Sequence, residues 1–220
     1  FSENVAKAVT DSGIKCNFSR AITSFEDTDI ENLQSFRESE DIVKRFHNAA
    51  DGRLKIDMSL HAEYTNRRTI IEQFAEKVRE RGLRAHIHLS ETKKEHEECK
   101  AKYSLTPTQL FYECGVFDVP TTAAHCVWVE DGDIELLREK GVTVATCPAS
   151  NLKLGSGICD VYKLLKSGVN VAIGTDSVAS NNNLNMIKEM FLCALLPKGL
   201  HNDASVVSER DILKMATVNG

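Results

Sequence analysis

The chain has 220 residues, of which 42% are hydrophobic and 27% charged, a composition typical of soluble globular proteins. Its formal net charge of −5 gives no electrostatic reason to expect a nucleic acid or an anionic membrane as partner. No apolar run approaches the length of a membrane span, and the opening residues FSENVAKAVT lack the basic and apolar regions of a signal peptide.

Seven cysteines are scattered along the chain, and no two of them form a CxxC pair. A chain of this length does not need disulfides to hold a core, so we expect reduced thiols and a cytoplasmic protein. The spacing also speaks against a zinc–thiolate cluster.

Helical and strand patterns alternate along the sequence. Apolar residues at helical spacing predict helices over 2–13, 35–50, 66–81, 93–101, 107–114, 131–140, 158–167, 183–196 and 208–219. Short apolar runs between them predict strands over 14–20, 53–60, 84–90, 121–127, 142–148 and 170–176. Repeated β–α units of this kind predict parallel strands covered by helices.

Two α/β architectures fit this order, an open doubly wound sheet and a (β/α)8 TIM barrel. No GxGxxG motif follows the first strand, which argues against a dinucleotide-binding sheet. Polar residues follow several different strands, at the ends where barrel enzymes place their chemistry. We therefore predict a TIM barrel in a single domain over 1–220, incomplete because about six βα units stand where a barrel needs eight.

Three predicted strands end in residues that can bind a metal. His88 lies near the end of the strand in RAHIHLSET, His125 ends the strand in TTAAHCVWV, and Asp176 follows NVAIGT. Taken singly, each has an ordinary alternative as a core histidine or a turn residue. Taken together they predict one site, because parallel strand ends converge at one mouth of a barrel. Imidazole and carboxylate are ligands for a catalytic divalent ion, and Glu91 lies close enough in sequence to transfer protons.

Four motifs, HIHLSET, AAHCVWV, CPASNLKLGSG and IGTDSVASNNNLNM, resemble the amidohydrolase superfamily. Within it they resemble the branch of 5-methylthioadenosine/S-adenosylhomocysteine deaminases and chlorohydrolases. The resemblance implies that His88 and Asp176 bind the metal and that Glu91 handles protons. It also implies that His125 polarises the attacking water and that Asp176 accepts a proton from it.

The resemblance implies three further residues at the substrate. His61 matches a histidine that contacts the substrate, Arg20 matches an arginine of the substrate pocket, and Glu91 also contacts the ring. Asn151 belongs to a loop that shapes the same mouth. The metal is expected to be a single divalent ion, zinc first, with iron or manganese as alternatives.

The sequence also departs from the family pattern. The family opens with a strand ending in His-x-His, which supplies two metal ligands, and builds a small β-sandwich from both termini. This sequence shows neither feature. His86 and His88 have the His-x-His spacing, but they lie on the wrong strand. We therefore expect a fragment that lacks the first two βα units and the β-sandwich, with weak metal affinity and little turnover by itself.

The resulting expectation is a metal-dependent hydrolase of cyclic C–N bonds that deaminates an adenine nucleoside, with a small molecule as its partner. Three alternatives stay open: the same chemistry on guanine, a chlorotriazine or another N-heterocycle; an inactive fragment of such an enzyme; and a non-catalytic α/β module. A homo-oligomer is also compatible with the sequence. We further expect His96 to be exposed on a charged helix face, and Cys126 and Cys147 to be buried rather than nucleophilic.

Overall fold

A computed structural model describes residues 2–220, with the backbone alone for Ser2. The described chain divides into two compact units. Unit 1 comprises the described residues up to Ile87 together with Glu113–Thr121. Unit 2 comprises His88–Tyr112 and Thr122–Gly220.

Helices and strands alternate, as expected. The helices are α1 Ser2–Ser12, α2 Gln34–Phe46, α3 Arg68–Glu80, α4 Lys93–Tyr103, α5 Pro107–Glu113, α6 Asp131–Glu139, α7 Pro148–Lys153, α8 Val161–Lys166, α9 Val178–Asn181, α10 Met186–His201 and α11 Glu209–Ala216. The strands are β1 Cys16–Phe18, β2 Ala21–Ile22, β3 Leu54–Ile56, β4 Met58–Leu60, β5 Ala85–Leu89, β6 Thr121–His125, β7 Thr143–Thr146 and β8 Asn170–Ile173. Single turns of 3-10 helix cover Ile30–Asn32, Glu63–Thr65 and Val116–Asp118.

The single strand predicted over 53–60 is wrong, because the chain changes partners at Asp57. Before it, β3 pairs in parallel with β1, and the Asp57 N–H itself donates to the Phe18 carbonyl oxygen at 3.0 Å. After it, β4 pairs in parallel with β2 and with the start of β5. The two-residue β2 is too short to give a period-2 pattern, so the sequence did not predict it.

Unit 1 buries the apolar faces that the periodicity predicts. Helices α1 and α2 cover β3 through a cluster of five buried side chains: Ala6, Val9, Ile42, Leu54 and Ile56. Helix α3 buries Phe74 and Val78 completely. Burying one such side chain stabilises the fold by about 1.5–3 kcal/mol, so these faces fix how each helix packs.

Unit 2 is built on parallel pairing of β6 with β7 and of β7 with β8. The buried side chains of Val144 and Val171 lie on neighbouring strands in register. The backbone after β6 also pairs with the end of β5, since the Cys126 N–H donates to the Leu89 carbonyl oxygen at 3.0 Å. Parallel pairing brings the carboxyl ends of these strands to one edge, which is the arrangement that the sequence predicted.

Two short helices that the sequence did not predict follow β7 and β8. Helix α7 opens with Pro148, whose missing N–H costs nothing at a helix N-terminus. Helix α9 is capped by Ser177, whose side chain accepts from the Ser180 N–H. They have six and four residues, too few for a periodic pattern to stand out.

Among residues 2–220, no helix combines the length and the apolar character needed to span a bilayer.

Candidate active site

The predicted site residues of unit 2 all lie at or beyond strand ends. His88 is the penultimate residue of β5, and Glu91 lies just past the end of that strand. His125 is the final residue of β6, and Asp176 follows β8 in the loop before α9. The strand-end prediction therefore holds for the position of each residue.

His125 lies against both His88 and Glu91. The His88 and His125 rings are stacked, with centroids 5.5 Å apart and planes 19° apart. The His125 Nε2 atom is 3.8 Å from Glu91 Oε2. The His125 side chain is only 3% exposed, whereas that of Glu91 is 18% exposed and so can reach a ligand. The cluster brings two imidazoles and a carboxylate together in one place.

The tautomer of His125 is fixed by Asn151, in the first turn of α7. The His125 Nδ1 atom is 2.8 Å from Asn151 Oδ1, and both side chains are buried. In this orientation of the Asn151 amide, the carbonyl oxygen faces Nδ1 and can only accept, so Nδ1 carries the hydrogen in neutral His125. The lone pair of neutral His125 is then on Nε2, the nitrogen nearest Glu91, where it can accept from a water molecule.

Asp176 is held by two hydrogen bonds. Ser150 Oγ donates to its Oδ2 at 2.5 Å, and the Ser177 N–H donates to its Oδ1 at 2.6 Å. Burial by itself raises the pKa of Asp176, but these bonds, with His125 and His88 nearby, hold that pKa below its ordinary value. The sequence did not predict Ser150, although it adjoins Asn151 in the CPASNLKLG motif.

Glu91 is positioned from two sides. Ser156 Oγ donates to Glu91 Oε1 at 3.3 Å, and the Glu91 N–H donates to Glu95 Oε2 at 2.8 Å. Glu95 and Thr92 also form the capping box that starts α4. The T-x-x-E spacing was a sequence signal for the roles of Thr92 and Glu95, whereas Ser156 was not predicted although it lies in the CPASNLKLGSG motif.

Four residues at these strand ends have a left-handed backbone. Ser90, His125, Cys126 and Asp176 have φ values of 46°, 71°, 50° and 58°, in the left-handed region that side chains other than glycine rarely adopt. Such residues cost about 1–3 kcal/mol each and tend to cluster at functional sites, where they aim a side chain at a ligand. Two of the four are predicted catalytic residues, which favours function over simple packing.

The strand ends carry side chains of the kinds that bind metal ions in proteins. No group of three or more His, Cys, Asp or Glu side chains in 2–220 is arranged to hold a metal ion. His88 and Asp176 are nevertheless the imidazole and carboxylate donors that zinc takes in proteins. His88 and Asp176 are thus the right kinds of donor for a metal ion, but two donors are too few for a complete ligand set.

The two other predicted substrate residues, His61 and Arg20, belong to unit 1. His61 directly follows β4, and its Nδ1 is 3.2 Å from Thr65 Oγ1. Arg20 lies between β1 and β2 and donates from Nε to Glu38 Oε2 at 3.0 Å on the surface. Their proposed contact with a substrate stays a prediction.

The expectation that His96 is exposed is wrong. Its ring is buried, with Nδ1 3.3 Å from Ser90 Oγ and Nε2 3.1 Å from Glu130 Oε1. Cys126 and Cys147 are buried as expected. Burial raises the pKa of Cys147 to about 12 and that of Cys126 well above its ordinary value, which leaves both thiols poor nucleophiles.

A model of the amidohydrolase family matches residues 1–220 of this sequence. The chain belongs to the amidohydrolase family. This confirms the resemblance carried by the four motifs. The amidohydrolase family is metal-dependent, which agrees with the donors found at the strand ends.

Curated amidohydrolase relatives carry the names of deaminases. The 5-methylthioadenosine/S-adenosylhomocysteine deaminase of Acetivibrio thermocellus is 44% identical over 218 residues, covering 99% of this chain and 50% of the relative. The 5'-deoxyadenosine deaminase of Methanothermobacter thermautotrophicus is 39% identical over 220 residues, covering 100% of this chain and 51% of the relative. The chain thus spans about half the length of the curated relatives it matches.

Solved structures show the same fold. An adenosine deaminase from Xanthomonas campestris with bound zinc superposes with a TM-score of 0.89 at 28% identity, covering 100% of this chain and 50% of that chain. The predicted fold class, the α/β fold of metal-dependent hydrolases present in part, is confirmed by this match and by the parallel strands.

Proposed function

We propose that this amidohydrolase chain forms part of a hydrolytic deaminase for adenine nucleosides of the 5-methylthioadenosine and S-adenosylhomocysteine type. The observation that carries the proposal is the cluster of His88, Glu91 and His125, with Asp176 held beside it at the end of β8. The names of the relatives, at 44% and 39% identity, support the reaction and the class of substrate.

His88 and Asp176 are the residues that would hold the metal, with zinc favoured by the donors and by the zinc in the solved relative. When bound, a divalent ion of this kind acts as a Lewis acid and makes water a stronger nucleophile near neutral pH. The remaining ligands would come from the half of the relatives' length that this sequence does not span.

The protein's own side chains divide the proton transfers. Asp176 accepts a proton from the attacking water, and His125 accepts a hydrogen bond from that water at Nε2. Glu91, the more exposed carboxylate, delivers a proton to the ring nitrogen. Water adds to the amine-bearing ring carbon, and the proton taken up by Asp176 passes to the exocyclic nitrogen. The exocyclic C–N bond then breaks with loss of ammonia, and the remaining hydroxyl proton returns to Glu91 as the oxo product forms.

Substrate selection would involve His61, Arg20 and Glu91. The partner is a small molecule, and the net charge of −5 provides no electrostatic attraction for a nucleic acid. The seven free cysteines agree with a cytoplasmic location. The 5' substituent of the nucleoside is the feature on which the names of the relatives differ, so the assay has to vary it.

Metal content is the first test, by elemental analysis of the purified chain titrated with zinc. We expect weak binding that is lost in His88→Ala and in Asp176→Ala. His201→Ala is the matched control, because His201 lies outside the cluster and its Nε2 contacts Asp160 Oδ1 at 2.8 Å. Equal zinc binding in all four proteins would contradict the proposed ligands.

Activity is tested on the chain joined to the remaining half of the Acetivibrio thermocellus relative. Ammonia release is measured with methylthioadenosine, S-adenosylhomocysteine, 5'-deoxyadenosine, adenosine, guanine and a chlorotriazine. Preference for the adenine nucleosides supports the proposal, and the most active of them identifies the 5' substituent. Zinc binding without release of ammonia from any adenine nucleoside would overturn it.

A further inference from the structure

The carboxylate of Glu189 is fully buried in unit 2 and has no part in the proposed proton transfers. It lies in the first turn of α10, with none of its surface exposed. Removing a carboxylate from water is costly unless the protein supplies hydrogen bonds to it. The atoms that donate to Glu189 therefore indicate what this buried group is for.

Each oxygen of Glu189 accepts from a different segment. Oε2 accepts from the Ala149 N–H in the first turn of α7 at 2.9 Å. Oε1 accepts from Asn181 Nδ2, the last residue of α9, at 2.8 Å. The same Asn181 nitrogen donates to the Thr175 carbonyl oxygen at 2.6 Å. One carboxylate thus ties the segment after β7 to the segment after β8.

Both segments carry residues of the candidate site next to the tied atoms. Ser150, immediately after Ala149, donates to Asp176 Oδ2 at 2.5 Å. Asn151 follows and accepts from His125 Nδ1 at 2.8 Å. On the other segment, Thr175 immediately precedes Asp176. Glu189 therefore binds the backbone one residue before Ser150 and two residues before Asn151, and through Asn181 it reaches the residue before Asp176.

We propose that Glu189 is a positioning residue, whose carboxylate holds Ser150 and Asn151 against Asp176 and His125. The catalytic part of this role rests on the proposed function. The geometric part does not, because the tautomer of His125 depends on Asn151 whether or not a substrate is turned over.

Glu189→Gln is the sharpest perturbation, since it keeps the volume and shape of the side chain. An amide has one acceptor oxygen and one NH2 group, so it can accept from Ala149 or from Asn181 but not from both. The remaining donor, either the Ala149 N–H or Asn181 Nδ2, then faces the new NH2 group instead of an acceptor. Asn181→Ala is a second variant, which leaves the carboxylate in place and removes the tie to the β8 segment alone.

The primary readout is the tautomer of His125, measured by long-range 1H–15N spectra of the metal-free chain with labelled histidine. We expect the Nδ1–H tautomer in the unsubstituted chain. Asn151→Ala is the positive control and shifts His125 toward the Nε2–H form. We expect Glu189→Gln to shift it in the same direction, and Asn181→Ala to shift it less.

Asp133→Asn is the matched control for loss of a buried carboxylate. Asp133 is 1% exposed and accepts from the Glu130 N–H and from Thr106 Oγ1, both remote in sequence from α7, α9 and α10. We expect its variant to leave the His125 signals unchanged. Identical His125 signals in folded Glu189→Gln and the unsubstituted chain would overturn the proposal, and so would an equal shift in Asp133→Asn.

Kinetics of the joined protein test the catalytic part. We expect Glu189→Gln to lower kcat by about 10- to 100-fold, with KM changed by less than about threefold, as for residues that orient a catalytic group. In the Asn151→Ala background the same substitution should have a smaller effect, because the part that acts through Asn151 and His125 is already lost and only the part through Ser150 and Asp176 remains. An inactive unsubstituted protein would refute the proposed function, whereas the His125 spectra would still decide the role of Glu189.

Discussion

Gly157 lies in the loop after α7, and its replacement by alanine is expected to destabilise unit 2. Its φ is +127°, and a Cβ atom built there would lie 2.9 Å from Val127 Cγ1 and 3.5 Å from the Trp128 ring. The preceding residue, Ser156, accepts from the Trp128 indole N–H at 2.7 Å and donates to Glu91 at 3.3 Å. A substitution that displaces this loop would therefore also displace Ser156, which contacts Glu91 in the candidate site.

The two costs of Gly157→Ala can be separated. The positive φ costs about 1–3 kcal/mol for a residue with a side chain. The contact with Val127 is closer than real Cβ contacts, and relieving it costs about another 1–3 kcal/mol as overpacking. A total near 3 kcal/mol lowers the melting temperature by about 6–12 °C for a chain of this size.

Gly155→Ala is the matched control, because Gly155 has φ +70° and no atom within 4 Å of a built Cβ. It carries the conformational cost alone, about 1–2 kcal/mol. Melting is followed by fluorescence of Trp128, the only tryptophan in the sequence. Equal losses in the two variants would refute the claim that Val127 and Trp128 close the space beside Gly157, and an unchanged melting temperature in both would refute the backbone argument as well.

Two further outcomes follow from buried titratable groups. Burial raises the pKa of Asp57 in the folded chain, because the charged carboxylate is costly to bury. Below the unfolded pKa of about 3.9 the carboxyl is protonated in both states and stability is unaffected, and this stability is lost as the pH rises through the folded pKa and the buried group ionises. Asp57→Asn should then be more stable than the unsubstituted chain in urea at pH 7, with the difference vanishing below about pH 4; the exposed Asp51→Asn should not show this pattern, and a pH-independent difference would contradict the reasoning. Burial raises the pKa of Cys147 and of Cys159 to about 12, so iodoacetamide at pH 8 should modify the half-buried Cys16 first, as read by peptide mass spectrometry. Modification of Cys147 before Cys16 in the folded chain would show that the buried thiols are more accessible than the structure indicates.

Much of the candidate site was predictable because parallel strands end at one edge. His88, His125 and Asp176 follow apolar strand patterns, so their convergence required only the β–α order and the rule that parallel strand ends meet. Glu91 was predicted with them, since it lies two residues past the end of β5. The catalytic roles themselves stay predictions until the variants are measured.

The residues that orient this site were not predictable in the same way. Ser150, Ser156 and Glu189 act through contacts with residues 26, 65 and 40 positions away along the chain. A serine in a loop or a glutamate in a helix has no local pattern that distinguishes such a contact from exposure to solvent. His96 was misread for the same reason, because a charged helix normally faces water and only the position of Ser90 and Glu130 buries its ring.

The sequence by itself determined the alternation of helices and strands, the parallel α/β class and the residues that end the strands, because these depend on local periodicity and on short-range chain geometry. Only the tertiary structure decided that the run over 53–60 divides between two sets of partners at Asp57. It alone also decided that one buried carboxylate, Glu189, joins the segments beside Asp176 and His125. Hydrogen bonds between distant segments depend on how the elements pack, and packing is a property of the whole fold rather than of any short stretch of sequence.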